Sequence, residues 1–221
     1  MGMTNLHFSH PDKRDLYVIS HYRVIFMLLQ EKFKNRRIIL GSASPRRKEL
    51  LAGLDIPFTV EAYPGGSEVF DSCLPFEEIP KAIALGKSQG FHRPLESDEV
   101  LITADTVVVC NGRILGKPEC ADDAFIVLKE LSGKTHSVVT GVCIRTLDKI
   151  RSFSAVSDVT FDQLSDEEIE YYISKYSPMD KAGSYGIQEW IGYVGIKSIQ
   201  GSYFNIVGLP VQRLYKELMA F

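Results

Sequence analysis

Arg37-Ile-Ile-Leu-Gly-Ser-Ala-Ser-Pro-Arg-Arg-Lys-Glu-Leu-Leu51 reads as strand, short polar loop and helix. Ile38, Ile39 and Leu40 are β-formers, and Gly41 to Ala43 supply the turn. Ser44 is a favoured N-cap, and Pro45 suits the first helical position. Arg46 and Arg47 then fall in the first helical turn, where the dipole is positive and each cation costs about 0.3–1 kcal/mol. A capping box would instead place Glu or Gln at the Arg47 position. A bound anion reverses the sign of that argument. Free N–H groups, serine hydroxyls and two guanidinium forks together make a phosphate site. The alternative is a solvated basic patch with a carboxylate nearby.

Outward from this stretch, residues 48–54 continue the helix with Leu50, Leu51 and Leu54 inward, and Gly53 and Pro57 help to end it. Residues 58–60 read as a strand and 63–68 as a loop. A helix is expected from Pro75 to about Gly90, with Ile79, Ile83 and Ala84 inward. Residues 99–110 form a long β-rich run, and Asn111-Gly112 is a type I′ hairpin signal that returns the chain through residues 113–116. Residues 121–131 are helical. Residues 135–146 and 151–161 make a second hairpin. Ser165-Asp-Glu-Glu168 is a capping box whose helix ends near Pro178. Residues 180–191 are a glycine-rich loop, 196–207 read as strand pieces broken at Gly201, and Pro210 starts a last helix. The hairpins demand antiparallel pairs, yet helices are interspersed without a regular βαβ count. The fold class is therefore α/β, a mixed sheet flanked by helices.

At 221 residues the chain is long enough for one domain or a closely fused two-lobed unit. Lys+Arg 25 against Asp+Glu 28 gives a net charge of −3, so any anion site is local and nothing suggests a general nucleic-acid binder. Cys73, Cys110, Cys120 and Cys143 are isolated, without a CxxC pair, and read as core thiols in a reducing cytoplasm. No apolar run approaches the ~18 residues of a membrane span. Residues 1–36 carry His7, His10 and His21 at a spacing that gives weak support for a metal, and they lack the features of a signal peptide. Met27 is an alternative start, followed by a short lead-in helix over residues 28–34.

Asp105 is the sharpest single residue. It interrupts the apolar run 100–109, where an unpartnered carboxylate would cost several kcal/mol. It is either a strand-end Asp paired to Arg or Lys, or a metal ligand or general base. A two-residue turn pairs Cys110 with Arg113 and sets Lys117 across from Thr106, one step from Asp105. Regular register points Lys117 to the opposite face, but Gly116 and Pro118 make the strand irregular there. Glu68 sits in a Gly/Pro loop. Lys87 lies on the helix after Pro75, and Leu85-Gly-Lys-Ser88 imitates a P-loop end but has Lys81 where the first glycine belongs. Gln188 closes Gly183-Ser-Tyr-Gly-Ile-Gln188, whose glycines let backbone approach a ligand, although a plain surface loop fits equally. His136 reads as a core or edge residue, and no Ser/His/Asp or Cys/His nucleophile set is present. Cations, carboxylates and an amide in this combination suit phosphoryl chemistry.

Ser42-Ala-Ser-Pro-Arg-Arg47, Ala104-Asp-Thr106, Gly116-Lys-Pro118, His136 with Thr140-Gly141, Asp180-Lys-Ala-Gly-Ser-Tyr-Gly-Ile-Gln188, and Gly201-Ser-Tyr with Val207-Gly-Leu-Pro210 resemble the Maf family of nucleotide pyrophosphatases. The resemblance runs from about Arg37 to the C-terminus, with motifs in family order. It divides the chain into an extension, 1–36, without family counterpart, and a Maf-like domain, 37–221. It implies a house-cleaning enzyme that cleaves nucleoside triphosphates between the α- and β-phosphates. It also implies a divalent cation (Mg²⁺ or Mn²⁺), a cytoplasmic homodimer, and an elongated fold akin to inosine triphosphatases with two lobes around a cleft. Neither nucleic acid nor membrane is an expected partner. Motif matching makes Ser44, Arg46, Arg47, Lys87 and Lys117 phosphate-side residues. Asp105 becomes the proton acceptor and, with Glu68, an acidic metal residue. Arg46, Thr106 and Gln188 match the family branch associated with dTTP and UTP. The branch associated with modified guanine nucleotides carries an aromatic residue, Gln and Glu there. A Gln amide offers a donor and an acceptor to the O4 and N3–H edge shared by uracil and thymine. Two rival readings remain: a protein that binds nucleotide for sensing or septum regulation without turnover, and a phosphatase that releases orthophosphate.

Overall fold

The β-branched run Glu99–Cys110 (β3) is the strand to which most of the sheet is tied, and only Asp105 and Thr106 within it are partly exposed. In this computed structural model, which describes residues 29–63 and 73–221, the other strands are Arg37–Leu40 (β1), Phe58–Val60 (β2), Arg113–Leu115 (β4), Thr135–Arg145 (β5), Ile150–Phe161 (β6) and Ile196–Gln200 (β7). They form one mixed sheet in the order β2-β1-β3-β5-β6-β7, with β4 also on β3. β1 runs parallel to β2 and β3, and the remaining pairs are antiparallel. The flanking helices are Pro45–Ala52 (α1), Ile79–Gln89 (α2), Ala121–Leu131 (α3), Asp166–Tyr176 (α4), Trp190–Val194 (α5), Tyr203–Val207 (α6) and Val211–Ala220 (α7). This is the mixed α/β architecture that the sequence predicts. Among the described residues no helix is long and apolar enough to cross a membrane.

One consequence of the pairing positions everything else. β5 takes one edge of β3 over residues 101–109, so β1 and β4 share the other. β1 stops at Leu40 opposite Ile102, and β4 stops at Leu115 opposite Val108. Residues 103–107 therefore have no strand partner on that edge. Asp105 and Thr106 lie in this window, and the segments leaving β1 and β4 both depart beside it.

Alternation divides the β3 side chains between two faces. On one face Val100, Ile102 and Ala104 join Val142, Ile144, Leu214 and Leu218 in one core. Val108 and Cys110 join Val138, Leu128, Ile169 and Tyr172 in a second. Thr106, paired with Thr140, separates them. Their hydroxyls lie 3.0 Å apart, and Thr140 Oγ1 donates to Asn205 O at 3.0 Å. On the opposite face α2 crosses the sheet, and Thr103 Oγ1 donates to Ala84 O at 2.7 Å. Gly141 makes the crossing possible, because a Cβ there would stand 2.2 Å from the Pro80 and Lys81 backbone.

Four expectations are corrected. Cys110 and Cys143 are buried as core thiols, but Cys73 and Cys120 are exposed. The helix after Pro75 begins at Ile79, with residues 76–78 in turns. Residues 203–207 are helical, not strand, because Ser202 caps them: its side chain accepts from Asn205 N at 3.4 Å. The loop 180–191 contains a 3₁₀ turn at Ala182–Ser184 and the start of α5. A helical turn at residues 29–33 stands where the lead-in helix is predicted. It buries Leu29 and Phe33 in the core with α7, and Lys32 Nζ donates to Met219 O at 2.6 Å. The structured unit therefore begins before Arg37.

Candidate active site

The window in β3 is bordered by side chains from several segments. Ser44 is the N-cap of α1, its hydroxyl accepting from Arg47 N at 3.4 Å, and Pro45 follows at the first position. The cap aims Arg46 and Arg47 over the window. Arg47 donates to Gly208 O at 3.0 Å, to Thr106 Oγ1 at 3.2 Å and to Ser42 Oγ at 3.4 Å. Burial pulls the Arg47 pKa down from its ordinary value, and the neighbouring Asp105 carboxylate opposes that shift. Arg46 Nη1 reaches Asp180 Oδ2 at 2.9 Å.

Asp105 faces α2, where Lys87 Nζ lies 2.6 Å from its Oδ1, with the two side chains 14% and 21% exposed. The carboxylate that interrupts an apolar strand thus has a cationic partner supplied by the helix on that face. Tyr63 Oη donates to Lys87 O and ties the loop after β2 to the same helix. Lys117 leaves β4 exposed beside the window. The departure of the chain from strand pairing after Leu115 is what lets Lys117 and Asp105 border one cavity.

That cavity, about 150 Å³, is lined by Ser44, Arg46, Arg47, Lys87, Asp105, Thr106, Lys117 and Gln188. Every one of these is predicted from sequence. Val108, Val138, Tyr185, Ile206 and Val207 give the same cavity an apolar wall. A second cavity of about 520 Å³ shares Ser44, Arg46, Arg47, Lys87, Lys117 and Asp180 with it and extends past Gly41, Ala43 and Tyr63. That size falls within the usual range of ligand clefts. Glu68, the remaining predicted site residue, lies outside the described residues.

Several groups escape the sequence reading. Asp180 borders both cavities and accepts from Arg46 and from Lys181 Nζ, the latter at 2.8 Å. Burial disfavours its ionised form, but the hydrogen bonds from Lys181 and Arg46 outweigh that, and its pKa falls below the ordinary value. Lys181 also lies 3.1 Å from Glu189 Oε1, and Glu189 Oε2 accepts from Tyr172. Tyr172 Oη in turn accepts from Gly186 N at 3.0 Å. This chain fixes the loop that carries Gln188. The signal available in sequence was the Asp-Lys pair at the head of the glycine-rich loop. The Gly208 carbonyl had no such signal. His136 is a core residue, as expected: its Nε2 is 2.7 Å from Tyr185 Oη, and its ring stacks on Phe161. Burial pushes its pKa down to about 4. It supports Tyr185, which lines the cavity.

The described motifs coincide with a family pattern that matches residues 37–221 under the description Maf-like protein. The chain belongs to the Maf-like family. Among its Maf relatives is a protein of Phocaeicola vulgatus named dTTP/UTP pyrophosphatase, 57% identical over 188 residues that cover 85% of this chain and 97% of the relative. A protein of the same name from Bacteroides thetaiotaomicron is 53% identical over 182 residues, covering 82% and 94%. Another from Porphyromonas gingivalis is 51% identical over 193 residues, covering 86% and 97%.

Proposed function

We propose that the chain hydrolyses nucleoside triphosphates, dTTP and UTP ahead of purine nucleotides, to the nucleoside monophosphate and pyrophosphate. The observation that carries this reading is the convergence of Arg46, Arg47, Lys87 and Lys117 on one cavity bordered by Asp105. The names of the relatives support the same reading. The α1 N-terminus, Ser44, Arg46, Arg47 and Lys117 hold the triphosphate. Lys87 fixes the direction of the Asp105 carboxylate, which takes a proton from an attacking water. The water oxygen bonds to the α-phosphorus, the bond from that phosphorus to the bridging oxygen breaks, and pyrophosphate leaves with that oxygen. The cations stabilise charge that grows on the leaving group, an electrostatic contribution that is large when preorganised.

A divalent cation fits the donor set. Magnesium is commonly held by one or two carboxylates together with substrate phosphates. Asp105 and Asp180 both border the cavity, the first with its Oδ1 on Lys87 and the second accepting from Arg46 and Lys181. Asp105 and Glu68 would hold Mg²⁺ or Mn²⁺, which would neutralise phosphate charge when bound. Gln188 meets the base at the end of the cavity walled by Val108, Val138 and Tyr185. The Thr106 hydroxyl is taken up by Arg47 and Thr140, so it places no demand on a 2′-hydroxyl, and both sugar forms are accepted. A cytoplasmic homodimer belongs to the same reading.

Chromatography of the products from dTTP with Mg²⁺ tests the bond cleaved. dTMP and pyrophosphate are expected, whereas dTDP and orthophosphate would place the chemistry one phosphate away. Binding without turnover would favour a sensing protein. Comparison of kcat/KM for dTTP, UTP, CTP, GTP and 7-methyl-GTP tests the base, and preference for either guanine nucleotide would overturn the assignment to Gln188.

A further inference from the structure

Two arginines stand side by side at the start of α1, and the structure satisfies them differently. Arg47 spends its N–H groups on three neutral oxygens, those of Gly208, Ser42 and Thr106. It is held in place while its charge remains available to an anion. Arg46 instead pairs with a carboxylate 134 positions away, Asp180 Oδ2 at 2.9 Å. Asp180 is 61% exposed, so core packing does not hold it there. Its other oxygen accepts from Lys181 Nζ at 2.8 Å. Lys181 is only 9% exposed and is also anchored 3.1 Å from Glu189 Oε1. Asp180 therefore keeps a fixed cationic partner if Arg46 turns to another anion.

We infer that Asp180 is a competing counter-ion which occupies Arg46 before substrate binds, yields it to a phosphate oxygen of the triphosphate, and recovers it as pyrophosphate leaves. The inference rests on the hydrolysis proposed above. One hydrogen bond replaces another: Nη1–H···Oδ2 breaks as N–H···O–P forms, and no proton moves. Because Lys181 stays on Asp180, the exchange strands no charge. Its effect is to weaken every ligand that needs Arg46. For a solvent-exposed ion pair that weakening is about two- to five-fold. Pyrophosphate is thereby released more readily than it would be from an uncontested arginine. The opposite role would be preorganisation, in which Asp180 aims Arg46 and its loss weakens binding, so the two differ in sign.

The test is steady-state kinetics of the full chain with dTTP, with inorganic pyrophosphate as inhibitor, for the native protein, Asp180→Asn and Asp180→Glu. Asn keeps the volume and removes the competing charge. Asp180→Asn is expected to lower both the KM for dTTP and the inhibition constant of pyrophosphate by about two- to five-fold. Asp180→Glu, which keeps the carboxylate, is expected to return both toward native values. A merely structural role would not tighten binding. Either constant unchanged or raised in a folded Asp180→Asn protein overturns the inference. Calorimetric binding of pyrophosphate to the same proteins decides it without turnover, so failure of the hydrolysis reading stays distinguishable.

Discussion

Asp105 holds a position where the strand would otherwise be apolar, and Lys87 at 2.6 Å gives the carboxylate a cationic partner there. Asp105→Asn keeps the volume and removes the charge that would accept a proton. kcat should fall by about 10²–10⁴-fold while nucleotide binding persists, as read by turnover and calorimetry together. Near-native turnover would remove Asp105 from the chemistry. His136 gives a residue-scale effect on stability. Burial against Phe161 and Tyr185 holds its pKa at about 4, whereas an unfolded histidine titrates near 6.5. Between those values the unfolded chain binds a proton that the folded chain does not. Stability should therefore decline as pH falls from about 6.5 toward 4, with His136 contributing about 2 kcal/mol of that loss by pH 5. His136→Gln removes the contribution. Its unfolding free energy, measured in urea, should differ between pH 7 and pH 5 by about 2 kcal/mol less than the native difference. Equal differences would assign the acid sensitivity elsewhere. Asp105 was legible in sequence because a carboxylate within an apolar run conflicts with its surroundings. Asp180 was not, because an acidic residue at the head of a polar loop conflicts with nothing until Arg46 is seen beside it.

Elements were legible where local chemistry specifies them. Asn111 and Gly112 both take positive φ in the turn between β3 and β4, as a type I′ turn requires. Ser165 and Glu168 form the reciprocal capping box of α4. α6 was misread because Tyr203, Phe204, Ile206 and Val207 favour strands, and the Ser202 cap together with the buried Asn205 side chain overrides that preference. α2 shows how an element delivers a site residue. It crosses the sheet at Gly141, opposite Asp105, and that crossing brings Lys87 to the carboxylate. Gly141→Ala would place a methyl 2.2 Å from the backbone of Pro80 and Lys81, and backbone cannot yield as a flexible side chain does. α2 must move. The substitution should destabilise the fold by about 1–3 kcal/mol or more, measured by urea unfolding. It should also lower kcat by more than the folded fraction explains, since a shift near 1 Å in catalytic geometry can cost about 10²-fold. Native stability together with native kcat would show that α2 has room at that crossing.

For the whole molecule, the fold class was legible, but the feature that builds the site was not. Nothing local in the sequence says that β1 and β4 take the same edge of β3 and stop short of one another, because the register of β1 on β3, 62 residues further along the sequence, is a tertiary outcome. The same limit applies at the N-terminus. The family match begins at residue 37, and no site motif lies before it. Leu29 and Phe33 nevertheless are only 3% and 7% exposed, packed in the core that includes Leu214 and Leu218. Fully burying such a side chain is worth about 1.5–3 kcal/mol. The useful boundary is therefore set by packing and falls upstream of the motifs. A chain beginning at Met27 retains both residues and the Lys32 hydrogen bond to Met219 O, and it should match the full-length protein in thermal unfolding and in turnover of dTTP. A chain beginning at Arg37 loses them and should unfold at a distinctly lower temperature while keeping every site residue. If the Met27 chain folds but has lost activity, the segment before it contributes to the site. If the Arg37 chain is as stable as the full-length protein, the packing of Leu29 and Phe33 does not hold the fold together.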